Sequence, residues 1–244
     1  MPTIIHIQET TSTNDYLQQK IKNELLEEGS VVVCDFQTQG RGAANNKWES
    51  EKNKNLLFSM LLYPDFVEIK KQFIISQVVS LGLVDYLNTI TSGFTVKWPN
   101  DIYWQDEKIA GILIENNLRN NFLSESIIGI GLNINQIKFL SDAPNPVSLK
   151  NIMGFDYDLG IVLTDVQKSI FARYLQLLQG GTSLIQKDYK KAMYRNEGFY
   201  LYEDKNGVFL AKIHQVKEEG FLVLETENKE KRQYAFKEVL FKIL

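Results

Sequence analysis

The segment Lys97-Trp98-Pro99-Asn100-Asp101, followed by Lys108-Ile109-Ala110-Gly111-Ile112-Leu113-Ile114-Glu115, decides how this 244-residue chain is read. It sets two amines, an amide and a carboxylate on one apolar hairpin. A lysine within a run of strand formers is unfavourable unless an anion offsets its desolvation, so Lys97 and Lys108 together predict a pocket for phosphate or carboxylate. Either lysine alone would read as an exposed surface residue. Pro99 drives Trp98 out of the helical region and ends the first strand, which puts Asn100 and Asp101 at a turn beside both lysine-bearing strands. Asp101 can then hold a magnesium ion on a nucleotide, since this metal favours one or two carboxylates plus phosphate oxygens. Asn100-Asp101 is also simply a good turn pair.

Upstream, the apolar run Val31 to Phe36 delivers the loop Gln37-Thr38-Gln39-Gly40-Arg41-Gly42-Ala43-Ala44-Asn45-Asn46-Lys47-Trp48. Glycines on both sides of an arginine let backbone N–H groups approach an anion while the guanidinium adds two parallel donors. Gly-Arg-Gly alone is a weak signal, and the chain holds no P-loop or dinucleotide fingerprint. Nearer the amino terminus, Ser12-Thr13-Asn14 precedes Tyr16, Leu17, Ile21 and Leu25 at helical spacing. Any of the three suits a helix N-cap, and a helix start also offers free donors to a neutral polar ligand.

Apolar strand-like runs at Ile4 to Ile7, Ser30 to Phe36, Leu56 to Tyr63, Phe94 to Trp98, Lys108 to Ile114 and Ser126 to Ile134 alternate with helical patterns. The helices are expected over Asn14 to Glu27, Glu68 to Thr89, Leu163 to Leu178 and Leu184 to Arg195, with a loop from Ser141 to Pro146. This order predicts an α+β fold, helices packed on a mixed sheet. From about Gly198 the texture becomes short strands, Phe199 to Tyr202, Val208 to Val216, Phe221 to Glu225 and Arg232 to Phe236, with turns at Asn206-Gly207 and Glu219-Gly220. A small β-barrel is expected there, dividing the chain into residues 1–195 and 196–244.

Taken together, Ser12 to Asn14, Gly40 to Trp48, Lys97 to Asp101, Lys108 to Ile112 and Gly129-Ile130-Gly131-Leu132-Asn133 resemble, in order, motifs of the biotin protein ligases. The resemblance extends over nearly the whole chain and implies a biotin/lipoate ligase-like catalytic domain followed by an SH3-like one. It implies two steps: biotin and ATP give biotinyl-5′-AMP and pyrophosphate, then a lysine of a biotin carboxyl carrier protein, or of that domain in a biotin-dependent carboxylase, takes the biotinyl group as an amide. By the same resemblance Ser12, Thr13, Asn14 and Gln37 meet the biotin ring, Gly40 and Gly42 belong to its loop, and Gly111 leaves room for the bicycle. Arg41 and Lys108 neutralise the biotin carboxylate and the α-phosphate, and Lys97 with Mg2+ on Asp101 stabilises departing pyrophosphate. Trp48, Asn100 and Asn133 are placed at the nucleotide, with Trp98 and Trp48 acting as wall and loop anchor, respectively. Asn133 read alone would be part of an ordinary glycine-containing core strand.

The chain departs from the family where a second arginine commonly follows Gly-Arg-Gly: here stand Ala43, Ala44, Asn45 and Asn46. Weaker retention of the acyl-adenylate is the expectation, tested by comparing free adenylate and untargeted lysine biotinylation with an Ala43→Arg variant. Some family members begin with a DNA-binding helix-turn-helix, and the early position of Ser12 predicts a short form without operator binding. A net charge of −3 argues in the same direction, since a nucleic-acid binder usually shows a basic excess.

The single Cys34 lies in an apolar strand and reads as a buried structural thiol, and His6 and His214 lack metal-ligand spacing. No signal peptide is seen, and apolar runs are expected to be broken by charge well before 18 residues, so a cytoplasmic enzyme without a membrane partner is predicted. Exposed sheet edges allow a weak homodimer or a monomer. A lipoate or octanoate ligase would share the fold, and a biotin-sensing protein without catalysis would share the pocket; Lys-Trp-Pro-Asn-Asp with Gly-Arg-Gly favours biotin, and Arg41, Lys97, Asp101 and Lys108 together favour an enzyme.

Overall fold

The computed structural model describes residues 2–42, 46–140 and 145–242. Seven strands, β1 (Ile4–Thr10), β2 (Val31–Gln37), β3 (Leu56–Leu62), β4 (Phe94–Lys97), β5 (Asp101–Trp104), β6 (Glu107–Arg119) and β7 (Phe122–Leu132), form one sheet in the order β1-β2-β3-β7-β6-β5-β4. Only β1 and β2 run parallel, so the sheet is mixed, as the pattern of runs and helices predicted.

The helices divide unequally between its faces. Helix α2 (Phe73–Ile90) lies on one face and is flanked by α4 (Leu159–Leu178) and α5 (Thr182–Ala192), burying Phe58, Met60, Ile128, Ile130 and Leu132 beneath it. Helix α1 (Thr13–Asn23) covers only part of the opposite face, over a small cluster of Leu17, Leu26, Val32, Leu61 and Ile127. The rest of that face is left for the site.

One local expectation needs correction, and two further features were not foreseen. Asp101 does not sit in a turn: it opens β5 and pairs with Lys97, so the turn is confined to Trp98, Pro99 and Asn100, across a cis Trp98–Pro99 bond. The stretch Ile69–Ile90 is long and apolar enough to cross a membrane by length and composition, since Asp85 is the single charge of α2. It is the core helix of this sheet, and most of it is buried inside the protein. A short α3 (Leu149–Met153) was not anticipated; a capping box between Ser148 and Asn151 starts it.

Strands β8 (Tyr200–Asp204), β9 (Gly207–Val216), β10 (Leu222–Thr226), β11 (Lys231–Tyr234) and β12 (Leu240–Phe241) form a second, antiparallel sheet of SH3-like character, ordered β11-β10-β9-β8-β12. It is tied to the first sheet at several points. Met193 bridges Val96 at the β4 edge, the Tyr194 N–H donates to the Val96 carbonyl at 2.8 Å, and the Trp98 indole N–H donates to the Gly220 carbonyl at 2.9 Å. Trp98, expected as a wall, lines the cavity and in addition anchors the two sheets to each other.

Candidate active site

Strand alternation builds the floor of the site. Ile128, Ile130 and Leu132 point toward α2, so Gly129 and Gly131 face the opposite way, next to Gly111 and Leu113 of β6. Gly111 and Gly131 are direct partners in the ladder, and no side chain rises from either. Together with Ser12, Thr13, Lys97 and Lys108 these residues line a cavity of about 450 Å³.

The start of α1 roofs one end. Ser59, a hydroxyl inside the apolar strand Leu56–Leu62, donates toward Thr13 Oγ1 at 2.7 Å or Asn14 Oδ1 at 2.6 Å. Asn14 Nδ2 donates to Glu115 Oε2 at 2.7 Å, and the Thr13 N–H donates to Gln37 Oε1 at 2.8 Å. A Cβ on Gly129 would stand 2.5 Å from Asn14 Oδ1, so glycine is what lets Asn14 approach the sheet. Ser12 holds the N-cap position in extended backbone but its side chain makes no capping bond, which corrects the expectation of a side-chain cap; it lines the cavity instead.

The cations are brought together and are held in different ways. Lys108 Nζ pairs with Asp101 at 2.7 Å, and Arg41 pairs with Asp15 and, at 3.3 Å, with Glu115. Among the described residues Lys97 has no such close carboxylate. Its Nζ donates to the Tyr103 hydroxyl at 2.8 Å, and burial, which disfavours the ammonium, draws its pKa below the usual lysine range; Asp101 opposes this while Lys108 and Arg195 add to it. The prediction of a desolvated amine thus holds for Lys97, whereas Lys108 is half of an ion pair. No group of three or more His, Cys, Asp or Glu suited to an ion occurs among the described residues, Asp101 included. One carboxylate fits magnesium only where phosphate oxygens complete the shell.

Several expected contacts differ. A Cβ on Gly131 would fall 2.3 Å from Trp48 Cε2, and one on Gly111 would fall 2.9 Å from Trp48 Cζ3. The glycine floor therefore receives the Trp48 indole, and Gly111 does not face the open space foreseen for a ligand bicycle. Gly40 is absent from the cavity wall; a Cβ there would meet the Trp48 carbonyl oxygen at 2.8 Å, so it serves the close return of the loop.

Asn100 lines the cavity, but its amide is occupied, donating to the Ile112 carbonyl at 2.8 Å. Asn133 is not among the residues lining the cavity; its Nδ2 donates to the Val147 carbonyl at 3.1 Å and steadies the segment that runs beside Lys108, while its buried Oδ1 has no partner among the described residues. Ala43, Ala44 and Asn45 lie outside the described residues, as do Ser141 to Pro144 of the expected loop.

Sequence reasoning missed Ser59, Asp15, Glu115 and Tyr103, and also Val239 and Phe241, which reach the cavity from the second sheet. A lone serine in Leu-Leu-Phe-Ser-Met-Leu-Leu was a legible signal. Nothing local distinguishes Phe241.

A mixed sheet with a glycine floor, a polar helix start and three converging cations defines a carboxylate-activating ligase. The chain belongs to the biotin/lipoate A/B protein ligase family, which residues 6–133 match. It is 28% identical over 237 residues to the bifunctional ligase/repressor BirA of Bacillus spizizenii, covering 93% of this chain and 71% of that protein. It is 27% identical over 177 residues to the biotin–[acetyl-CoA-carboxylase] ligase of Mycobacterium tuberculosis, covering 71% and 61%. Among solved structures it is similar to the biotin protein ligase of Aquifex aeolicus in complex with biotin and ATP, with a TM-score of 0.79, 27% identity and 99% of both chains covered.

Proposed function

We infer that this chain is a biotin protein ligase that activates biotin with ATP and transfers the biotinyl group to a lysine of a biotin carboxyl carrier protein. The observation that carries this reading is the convergence of Arg41, Lys97 and Lys108 on one glycine-floored cavity, in a fold matching the Aquifex aeolicus enzyme over 99% of its length.

In the first step a biotin carboxylate oxygen attacks the α-phosphorus and pyrophosphate departs. Both reactants are anions, so their approach needs neutralisation and alignment. Lys108 and Arg41 already bear carboxylate partners, so substrate anions exchange for Asp101, Asp15 and Glu115 and the cations are not stripped from bulk water. Lys97 meets the phosphate chain. Magnesium would be held by Asp101 with phosphate oxygens, neutralising the leaving group. Thr13, Asn14 and Gln37, locked by Ser59 and Glu115, present fixed polar groups to the neutral ring of biotin. In the second step the carrier amine, as its free base, attacks the acyl carbon and AMP leaves.

The division into a catalytic unit, residues 1–195, and a second unit, residues 196–244, is part of the proposal and is supported by the change of sheet after α5. A carrier protein as partner without DNA, in the cytoplasm, agrees with a net charge of −3 and one buried free thiol. Mass spectrometry of the protein mixed with ATP, magnesium, biotin and a carrier domain should show the carrier gaining one biotinyl group. Preference for lipoate over biotin in pyrophosphate exchange would move the assignment to the lipoate branch, and biotin binding without exchange would make the chain a sensor.

A further inference from the structure

Lys97 is gripped from both sheets. Its Nζ lies 2.8 Å from the Tyr103 hydroxyl and 4.5 Å from the centre of that ring, and the Phe241 ring centre is 5.6 Å away. Tyr103 belongs to β5 and is 1% exposed; Phe241 belongs to β12, where it pairs with Tyr202. Tyr194 joins the two rings, with centres 5.4 Å from Tyr103 and 6.3 Å from Phe241, and is itself fixed by its hydroxyl to Asp106 and its N–H to Val96.

An ammonium has three N–H donors. One is taken by Tyr103, which leaves two for the cavity that Lys97 lines. Burial holds the Tyr103 phenol far above its ordinary pKa, so it stays neutral and accepts from Lys97 without removing its proton. A lysine on a flexible four-carbon stem gains most from such a grip, because rotamer freedom otherwise competes with alignment on a phosphate.

We propose that Tyr103 and Phe241 are positioning residues for the adenylation step, holding the Lys97 ammonium toward the nucleotide phosphates. This rests on the reading that the chain activates biotin with ATP.

The test is biotin-dependent ATP–pyrophosphate exchange by the full chain, with Tyr103→Phe, Phe241→Leu, Lys97→Ala and the two double variants carrying Lys97→Ala. Tyr103→Phe should lower kcat about ten-fold, the loss of one bond to a charged group. Phe241→Leu should lower it about three-fold, as for a lost cation–π contact. KM for biotin and calorimetric biotin affinity should stay at the wild-type level, and Phe241→Tyr should restore the rate. In the Lys97→Ala background neither change should have further effect, because both act through the missing ammonium.

Equal losses with and without Lys97, undiminished exchange in both single variants, or a parallel fall in biotin affinity would overturn the proposal. A wild-type chain without biotin-dependent exchange would overturn the adenylation reading as well, and is recognised before any variant is compared.

Discussion

Strand β7 carries Ile128, Ile130 and Leu132 on the face beneath α2, and Ile127, Gly129 and Gly131 on the other. Strand β6 does the same, with Ala110, Ile112 and Ile114 toward the helices and Gly111, Leu113 and Glu115 toward the cavity. On the first face space is filled by hydrocarbon from the sheet's own side chains. On the second the side chains are withdrawn, and the volume goes to Trp48, to Asn14 and to a ligand. A period of two lets one set of backbones serve packing and chemistry at once, because adjacent residues never share a face.

Residues taken from the two faces give the sharpest way to break the comparison. Phe58, 1% exposed under α2, changed to Ala should cost about 3–5 kcal/mol of stability in chemical denaturation while KM for biotin holds. Lys108→Ala on the other face should do the reverse, lowering exchange by about 100-fold with the denaturation midpoint nearly unmoved, because its ion pair with Asp101 is partly exposed. Unimpaired adenylation would remove Lys108 from the mechanism.

Gly131→Ala should weaken biotin binding by about ten-fold in calorimetry, since the new methyl displaces the Trp48 indole. Ser59→Ala should cost about 1 kcal/mol and loosen biotin by a few-fold, as Thr13 and Asn14 lose their shared partner. Were Phe58→Ala and Ser59→Ala to change stability and affinity alike, the separation of faces would fail. Smallest of all, Cys34 should resist a thiol reagent at neutral pH until the chain is unfolded, because burial pushes its thiol up to about 12; the thiolate fraction is read directly by reagent uptake.

Much of this arrangement was legible in the chain. Each main strand expected from apolar runs has its counterpart, and Arg41, Lys97, Asp101 and Lys108 do meet in one cavity. The misreadings have local causes. Pro99 concealed β5, since a strand terminator and a three-residue turn look alike in sequence. Asn133 and Gly40 also support segments beside the cavity, a role that the motif did not record.

Composition, periodicity and motif order by themselves determined the sheet-and-helix class, the cationic residues and the polar helix start, because strand alternation and charge burial are properties of neighbouring residues. Which partner each cation holds, that Trp48 lies on the glycine floor, and that Phe241 reaches Lys97 were decided only in three dimensions. Those contacts join residues dozens of positions apart, and no local preference encodes a distance set by how two sheets pack.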